Sequence, residues 1–429
     1  MHRPPSVDEL ARSLESTGLP HPLRVEVARA AIRDDLVDDV LDLARTRRRR
    51  LLQPVINATG VLLHTNLGRA PLEHSVAASA SNLELDLETG KRGSRQQAVG
   101  SLLATAVGAE AALVVNNCAA GVLLALAAVV GDKAAAVSRG ELVEIGGGFR
   151  IPDVMERSGA QMVEVGTTNR TRLADYRRAA DDHDLAAVLS VHRSNYRIEG
   201  FTESVGVTAL ATLGVPVIVD LGSGLLDASC PWLDGPPPRW LAEEPAVRQT
   251  LQQGADLVIF SGDKLFGGPQ AGIIVGRSDL VSACGRHALA RALRPGGLVL
   301  DALQATTLRY LERDGDAIPF WRMATTPVRA LRDRAERIVA ALPPDGPEVT
   351  VIDTEAVPGG GTMPGVTIPS LGVRVADPTA LDRLRDAERP VIARVDGGAT
   401  VLDLRTVDPG DDEAVISALR RAALGGGSP

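Results

Sequence analysis

Between about residue 55 and residue 330, short continuous apolar runs alternate with stretches of helical character, and this pattern most limits the possible folds. The apolar runs are LVVNN (113–117), AAAVS (134–138), QMVEVG (161–166), LAAVLSV (185–191), VPVIVD (215–220), ADLVIF (255–260) and AGIIVG (271–276). Strands that alternate with helices form a mostly parallel sheet covered on both faces, so each strand is apolar throughout. We therefore predict an α/β protein with a mostly parallel central sheet across residues 55–330.

Smaller predicted domains lie on either side of this core. Residues 1–54 are predicted to form a helical domain with apolar residues at helical spacing, namely Ile32, Leu36, Val40 and Leu43. The domain ends in a basic cluster made of Arg45, Arg47, Arg48, Arg49 and Arg50. This cluster is either a solvated helix end, where cations suit the helix dipole, or a patch that binds nucleic-acid phosphates. Residues 331–429 are predicted to form an α+β domain with a hairpin at Asp396-Gly397-Gly398.

Composition argues against several classes of protein. The three cysteines lack C-x-x-C spacing and no H-E-x-x-H motif occurs, so we expect no metal site and a reducing, cytoplasmic location. The N-terminus shows no signal-peptide stretch, and the longest apolar run, residues 119–131, is too short to cross a bilayer. With a net charge of -8, any contact with nucleic acid must use local basic patches.

Lysine is rare in this chain, and this rarity singles out Lys264. Only three of the 46 basic residues are lysines, and the other two, Lys91 and Lys133, lie in a polar loop and a turn. Lys264 instead follows the apolar run that ends at Phe260 and precedes a Gly-Gly-Pro turn and another apolar run. A lysine beside buried strands is desolvated, which favours its neutral, nucleophilic amine. The alternative is an exposed lysine in a turn.

Two further segments complete a candidate cofactor site. Asp220 ends an apolar strand, where its carboxylate can pair with the pyridinium nitrogen of pyridoxal phosphate; the alternative is an aspartate that caps a loop. Another strand leads through small residues (116–121) into a helix, whose first N–H groups suit a phosphate. The predicted cofactor-binding residues are Lys264, Asp220, Asn117, Cys118, Ala119, Ser223 and Ser261.

The order of these parts along the chain is typical of fold type I pyridoxal-phosphate enzymes. The phosphate loop comes first, the strand-end aspartate second and the strand-end lysine third. No G-x-G-x-x-G or G-x-x-x-x-G-K-[ST] motif competes with this interpretation. We therefore predict pyridoxal 5'-phosphate as the cofactor, bound to Lys264.

Several longer segments carry a resemblance to one family. They are INATGVLLHTNLGRAPL (56–72), DLETGKRGSR (86–95), GELVEIGGGFRIPDVM (140–155), SNYRIEGFT (194–202), DLGSG (220–224) and SGDKLFGGPQAGI (261–273). Together they resemble bacterial selenocysteine synthase, or L-seryl-tRNA(Sec) selenium transferase, over almost the whole chain. The resemblance implies that Lys264 holds the cofactor as a Schiff base, with Asp263 as a second catalytic residue. It also implies that the N-terminal domain binds tRNA and that the chain forms a homo-oligomer, a ring of dimers such as a decamer.

The implied reaction converts seryl-tRNA(Sec) into selenocysteinyl-tRNA(Sec) with selenophosphate, through an aldimine and an aminoacrylate. The family also implies an arginine cluster for the selenium donor, matched here by Arg69, Arg291 and Arg294. Arg92 and Arg95 are further candidates, because guanidinium groups form strong hydrogen bonds to small polyanions. Arg291 and Arg294 would share a face if their segment is helical. The alternative for each arginine is an ordinary surface charge.

Two other functions fit part of this pattern. A pyridoxal-phosphate β-eliminating lyase acting on a small amino acid or amino sugar acid would share the core and Lys264. The helical N-terminal domain and its RTRRRR run (45–50) favour the tRNA-dependent reaction instead. A non-catalytic tRNA-binding scaffold would need neither Lys264 nor Asp220. Cys118 and Arg193 depart from the residues that the family resemblance leads us to expect.

Overall fold

The computed structural model describes residues 5–75, 79–145, 148–344, 347–359 and 362–423. The chain divides into two compact units. The smaller unit consists of residues 1–56 with 388–390, and the larger consists of residues 57–387 with 391–429. Among the residues described, no helix combines the length and the apolar character that a membrane span requires.

The smaller unit is helical, with α1 (Val7–Ser13), α2 (His21–Arg33) and α3 (Val40–Arg49). Apolar side chains from all three helices form its core, including Leu10, Val27 and Ala44. The apolar positions from Ile32 to Leu43 do not belong to one helix, contrary to the predicted spacing. The segment between α2 and α3 is rich in aspartate, and Asp35 adopts a left-handed φ of 56°. Aspartate favours turns over helix interiors, which explains the break.

The rest of the chain alternates strands and helices up to α13 and then changes character. In chain order its elements are β1 (Ile56–Asn57), β2 (Val61–Leu63), α4 (Gln97–Val107), β3 (Ala111–Val115), α5 (Cys118–Val129), β4 (Ala134–Ser138), β5 (Glu144–Ile145), β6 (Phe149–Arg150), α6 (Ile151–Ser158), β7 (Gln161–Val165), α7 (Leu173–Asp182), β8 (Leu185–Val191), α8 (Val207–Leu210), β9 (Val217–Gly222), α9 (Val247–Gln252), β10 (Leu257–Ser261), β11 (Gly272–Gly276), α10 (Ser278–Arg286), α11 (Ala288–Ala292), α12 (Gly297–Glu312), α13 (Pro319–Thr325), α14 (Val328–Ala340), β12 (Val349–Gly359), β13 (Ile368–Val375), α15 (Ala380–Arg385), β14 (Val391–Ile392), β15 (Arg394–Asp396), β16 (Ala399–Asp403) and α16 (Asp412–Ala423).

The central sheet has seven strands in the order β3-β11-β10-β9-β8-β4-β7. Each of the seven apolar runs predicted as a strand is one of them. All neighbours are parallel except β11, which is antiparallel to both β10 and β3. Both faces are covered: in β10, Val258 and Phe260 pack into one apolar core, while Leu257 and Ile259 pack into another. The predicted α/β fold with a mostly parallel sheet is therefore confirmed.

A second sheet of five strands has the order β15-β16-β13-β12-β2. The predicted hairpin is present, because β15 and β16 pair antiparallel around Gly397 and Gly398, which both have positive φ. This sheet belongs to the same compact unit as the central sheet. The central sheet positions the candidate site, since the carboxyl ends of the neighbouring parallel strands β8, β9 and β10 lie side by side.

Candidate active site

Lys264 lies in a tight turn directly after β10, and its side chain is buried, with 7% of the residue exposed. The other two lysines, Lys91 and Lys133, are exposed, and Lys133 forms an ion pair with Asp184. A hydrogen bond of 2.9 Å from the Leu265 N–H to the Ser223 carbonyl ties this turn to the loop after β9. Of the three lysines, only Lys264 therefore offers an amine inside the fold.

Three polar groups converge on Gly222, at the end of β9. A Cβ atom added at Gly222 would lie 3.7 Å from Lys264 Nζ, 3.7 Å from Asp220 Oδ1 and 3.9 Å from Ser194 Oγ. Gly222 has a φ of 65°, a conformation that favours glycine, and the missing side chain leaves space among these groups. We call the region formed by Lys264, Asp220, Ser194, Gly222 and Cys118 the lysine cleft.

Cys118, the first residue of α5, completes the lysine cleft. Its thiol donates to Asp220 Oδ1 over 3.4 Å. Burial and the Asp220 carboxylate raise the pKa of Cys118 well above its usual value, so the thiol is neutral and can donate. Burial also raises the pKa of Asp220, against the opposing effects of the Cys118 hydrogen bond and the charge of Lys264. The structure thus gives Cys118 a specific contact that its sequence context did not indicate.

The predicted phosphate loop lies at the N-terminus of α5, a helix of 12 residues. Asn117 caps this helix, because its side-chain oxygen accepts a hydrogen bond of 2.8 Å from the Ala120 N–H. The N–H groups of Cys118 and Ala119 are at the first two helical positions, where no preceding turn can engage them. A side chain at Gly272 would collide with the Asn117 carbonyl, so a glycine is needed beside this loop.

The two predicted serines differ in their availability. The Ser223 hydroxyl is completely buried and has no hydrogen-bond partner among the residues described. The Ser261 hydroxyl instead donates to Asp263 Oδ1 over 2.6 Å. A buried polar atom without a partner is costly, so Ser223 is the better candidate for binding a ligand.

Asp263 connects the lysine turn to Arg69. Its second carboxylate oxygen accepts a hydrogen bond of 2.8 Å from the Arg69 guanidinium, and its backbone carbonyl accepts one of 3.2 Å from the Ala70 N–H. With Ser261 on the other oxygen, both oxygens of the Asp263 carboxylate accept a hydrogen bond. Asp263 therefore holds Arg69 beside the turn that carries Lys264, and Arg69 remains partly exposed.

The other predicted donor-binding arginines line one cavity together with Glu84. A cavity of about 240 Å³ is lined by Glu84 together with Arg92, Arg95, Arg291 and Arg294, and we call it the arginine cavity. Hydrogen bonds to Glu84 come from Arg95 Nε at 2.8 Å and from Arg92 at 2.9 Å, and Arg294 lies 3.6 Å away. Arg69 does not line this cavity. Helix α11 ends at Ala292, so the argument from a shared helix face does not apply to Arg294.

Several arginines of the predicted basic cluster contact other residues of the smaller unit. Arg45 forms an ion pair with Asp42, Arg47 with Glu26, and Arg48 donates to the carbonyl of Thr17. Arg49 and Arg50 lie at the exposed end of α3.

Sequence reasoning missed a group of residues around the carboxyl end of β8. The His192 N–H donates to the Asp220 carbonyl over 2.8 Å, and its ring Nε2 lies 3.5 Å from Glu244 Oε1. Glu141 accepts a hydrogen bond from the Val191 N–H, and burial raises the pKa of Glu141 to about 7. The available signal was the position of His192 directly after a strand of the predicted sheet, one of the strand ends where such sites form.

These groups fit pyridoxal phosphate, the cofactor predicted from the sequence. Lys264 supplies a primary amine for the aldehyde, and Asp220 supplies a buried carboxylate for the ring nitrogen. The first N–H groups of α5 and the unpartnered Ser223 hydroxyl supply donors for the phosphate. Among the residues described, no cluster of histidine, cysteine or carboxylate side chains is arranged to hold a metal ion.

A buried lysine and a buried aspartate at the ends of adjacent strands of such a sheet define a fold type I pyridoxal-phosphate enzyme. A solved structure of D-glucosaminate-6-phosphate ammonia-lyase is similar to this one, with a TM-score of 0.59 and 21% sequence identity. The match covers 87% of this chain and 96% of that chain. At this identity the similarity supports the fold alone.

The family follows from sequence comparison. The model of the L-seryl-tRNA selenium transferase family matches residues 55–408. An L-seryl-tRNA(Sec) selenium transferase of Moorella thermoacetica is 45% identical over 406 residues, which cover 89% of this chain and 84% of that protein. One of Geobacter sulfurreducens is 44% identical over 430 residues, covering 94% and 91%. This chain therefore belongs to the L-seryl-tRNA selenium transferase family, as its motifs predicted.

Proposed function

We propose that this chain converts L-seryl-tRNA(Sec) into L-selenocysteinyl-tRNA(Sec), with pyridoxal phosphate on Lys264 and selenophosphate as the selenium donor. The observation that carries the proposal is the buried Lys264 amine beside the buried Asp220 carboxylate, in a chain of this family. The β-eliminating lyase has support only at the level of fold, from a structure 21% identical, whereas relatives 45% identical are named transferases. A scaffold protein would have no need for this buried pair.

In the lysine cleft, Lys264 and Asp220 are proposed to have different roles in proton transfer. Pyridoxal phosphate, when bound, supplies an aldehyde for amines and a ring that delocalises negative charge from Cα. Lys264 Nζ would hold the cofactor through its amine, and Asp220 would keep a proton at the ring nitrogen. Lys264 Nζ would also be the base that removes the proton at the seryl Cα. Burial of both side chains keeps bulk water away from that proton.

The arginines are proposed to bind the selenium donor, because selenophosphate is a small polyanion. Arg69 is held next to the lysine turn by Asp263, which suits an anion that must reach the reacting carbon. In the arginine cavity, Glu84 compensates part of the positive charge of Arg92, Arg95 and Arg294.

Two further properties stay predictions. One is that the chain forms a homo-oligomer, a ring of dimers with active sites at the dimer interfaces. The other is a cytoplasmic location.

The helical N-terminal domain is proposed to bind the tRNA through the end of α3. Arg49 and Arg50 are chosen for the test because both are exposed and lie at the C-terminal end of α3. Changing both Arg49 and Arg50 to alanine is expected to weaken tRNA binding and to flatten its dependence on salt, because fewer counterions are released. Unchanged affinity and salt dependence would assign the contact to another surface.

The decisive experiment supplies the protein with pyridoxal phosphate, seryl-tRNA(Sec) and selenophosphate. The amino acid is then released from the RNA and identified by mass spectrometry, and selenocysteine is the expected product. A parallel reaction with free serine tests the lyase alternative. Production of pyruvate and ammonia from free serine, with unchanged serine on the tRNA, would overturn the transferase assignment in favour of the lyase.

A further inference from the structure

A second cavity, of about 710 Å³, lies next to the lysine cleft. His192 connects the two regions: its N–H donates to the Asp220 carbonyl, and its ring lines the cavity. Glu244, which faces the His192 ring, lines the cavity as well. We call this region the aromatic cavity. Its other lining residues include Arg193, Tyr196, Arg197, Arg239 and Trp240.

The aromatic cavity contains the partly exposed tryptophan and tyrosine of this chain. The sequence has three tryptophans and three tyrosines. Four of the six are buried, namely Trp232, Trp321, Tyr176 and Tyr310. The other two, Trp240 and Tyr196, are partly exposed, and both line this cavity.

Each of these two aromatic side chains is held in place by a contact with another residue of the chain. The Trp240 ring stacks on Trp321, with centroids 6.5 Å apart and planes inclined by 23°. The Tyr196 hydroxyl donates to the Gly140 carbonyl over 3.0 Å. Rigid, partly exposed aromatic rings beside a cavity are suited to stacking on unpaired nucleic-acid bases.

The arginines of the aromatic cavity differ from those of the arginine cavity in their partners. Within the described part of the chain, Arg193, Arg197 and Arg239 form no ion pair, whereas Arg92, Arg95 and Arg294 share Glu84. Arg197 and Arg239 are also exposed. Two exposed glutamates, Glu199 and Glu243, line the cavity too, so it is not uniformly positive. This mixture suits stacking combined with one or two phosphate contacts, rather than binding along a duplex backbone.

We propose that the aromatic cavity binds the single-stranded 3' end of the aminoacyl-RNA substrate. Trp240 and Tyr196 stack on its bases, while Arg197 and Arg239 contact its phosphates. The inference rests on the proposed function, because the RNA end that carries the serine must reach Lys264. His192 lines the cavity and donates its backbone N–H to the Asp220 carbonyl, so the cavity lies within a short distance of the strand end that carries Asp220.

The test compares two RNAs, seryl-tRNA(Sec) and the same tRNA shortened at its single-stranded 3' end. Trp240→Ala is expected to raise KM for the aminoacylated tRNA about tenfold, the loss typical of one base stack. Trp240→Phe keeps an aromatic ring and should recover most of this loss. Binding of the shortened tRNA should be the same for the wild type and for Trp240→Ala.

Two arginine variants test the phosphate contacts without touching the core. Arg197→Ala and Arg239→Ala should each raise KM for the aminoacylated tRNA, while Arg177→Ala, which removes an exposed arginine on α7 outside the cavity, should not. The proposal is overturned if all cavity variants keep the wild-type KM, or if they weaken binding of intact and shortened tRNA equally. Failure of the proposed function gives a different result, because the wild-type protein then makes no selenocysteine. In that case the binding of intact and shortened tRNA to the variants still tests the cavity.

Discussion

The lysine cleft and the arginine cavity use charged side chains in opposite ways. Around the lysine cleft burial dominates, and it raises the pKa of Asp220 and raises that of Glu141 to about 7. In the arginine cavity the hydrogen bond from Arg95 dominates, and it lowers the pKa of Glu84. The first region is therefore prepared for proton transfer by desolvation. The second pairs three of its arginines with Glu84, so that an incoming anion competes with a carboxylate of the protein.

The largest expected effect is on Lys264. Lys264→Ala should lower the rate of selenocysteine formation about 10²- to 10⁴-fold, because the base that moves the Cα proton is lost. The variant should also lose the cofactor on dialysis, which the visible absorbance band of the bound cofactor reports. Lys133→Ala, an exposed lysine paired with Asp184, is the matched control and should behave as the wild type. Wild-type activity in Lys264→Ala would remove the lysine cleft from the chemistry.

Asp220→Asn should have the second largest effect. The amide keeps the shape of the side chain but cannot supply the negative charge for the ring nitrogen, so activity should fall about 10²-fold. The absorbance of the bound cofactor, followed against pH, should show that the ring nitrogen loses its proton more easily. Asp184→Asn serves as the control, since that carboxylate is exposed. Equal pH profiles for wild type and Asp220→Asn would separate Asp220 from the cofactor.

Glu141→Gln tests how burial of this carboxyl group affects the stability of the folded protein. The folded pKa of about 7 lies above the ordinary 4.5, so folded wild type loses stability as pH rises from about 4.5 to about 7. The glutamine variant keeps the acceptor for the Val191 N–H but has no such loss. Above pH 7 it should be more stable by about 1–3 kcal/mol, measured by denaturant unfolding. A gap that stays constant from pH 4.5 to pH 8 would contradict the burial argument.

The smallest effect is expected for Glu84→Gln. Its sign is opposite to that of Glu141→Gln, because this substitution should lower the stability of the folded protein near neutral pH. The folded pKa of Glu84 is lowered, so its stabilising effect is present above 4.5 and is lost as pH falls through the lowered value. The variant should therefore melt at a slightly lower temperature near neutral pH and match the wild type in acid. Because Glu84 is partly exposed, high salt should shrink the difference further. A melting difference that grows in acid would show that the contrast between the two regions is wrong.

Much of the fold could be predicted because its signals are local. Each strand of the central sheet appears as a continuous apolar run, and the hairpin at Gly397 and Gly398 has its turn residues in sequence. The break between α2 and α3 was missed, although the aspartates around Asp35 were visible. In this segment the apolar spacing indicates one continuous helix, whereas the aspartates indicate a turn. The turn is formed, because three short helices can then pack around one apolar core.

The sequence by itself determined the seven strands, the scarcity of lysine and the order of Asp220 and Lys264 along the chain, because these depend only on residue type and spacing. Only the tertiary structure decided which side chains meet. It placed the Cys118 thiol on Asp220, tied Ser261 and Arg69 to Asp263, gathered three arginines around Glu84 and brought Trp240 and Tyr196 into one cavity. Such contacts join residues far apart in sequence, and they are settled by strand order, burial and charge pairing, none of which leaves a periodic signal in the chain.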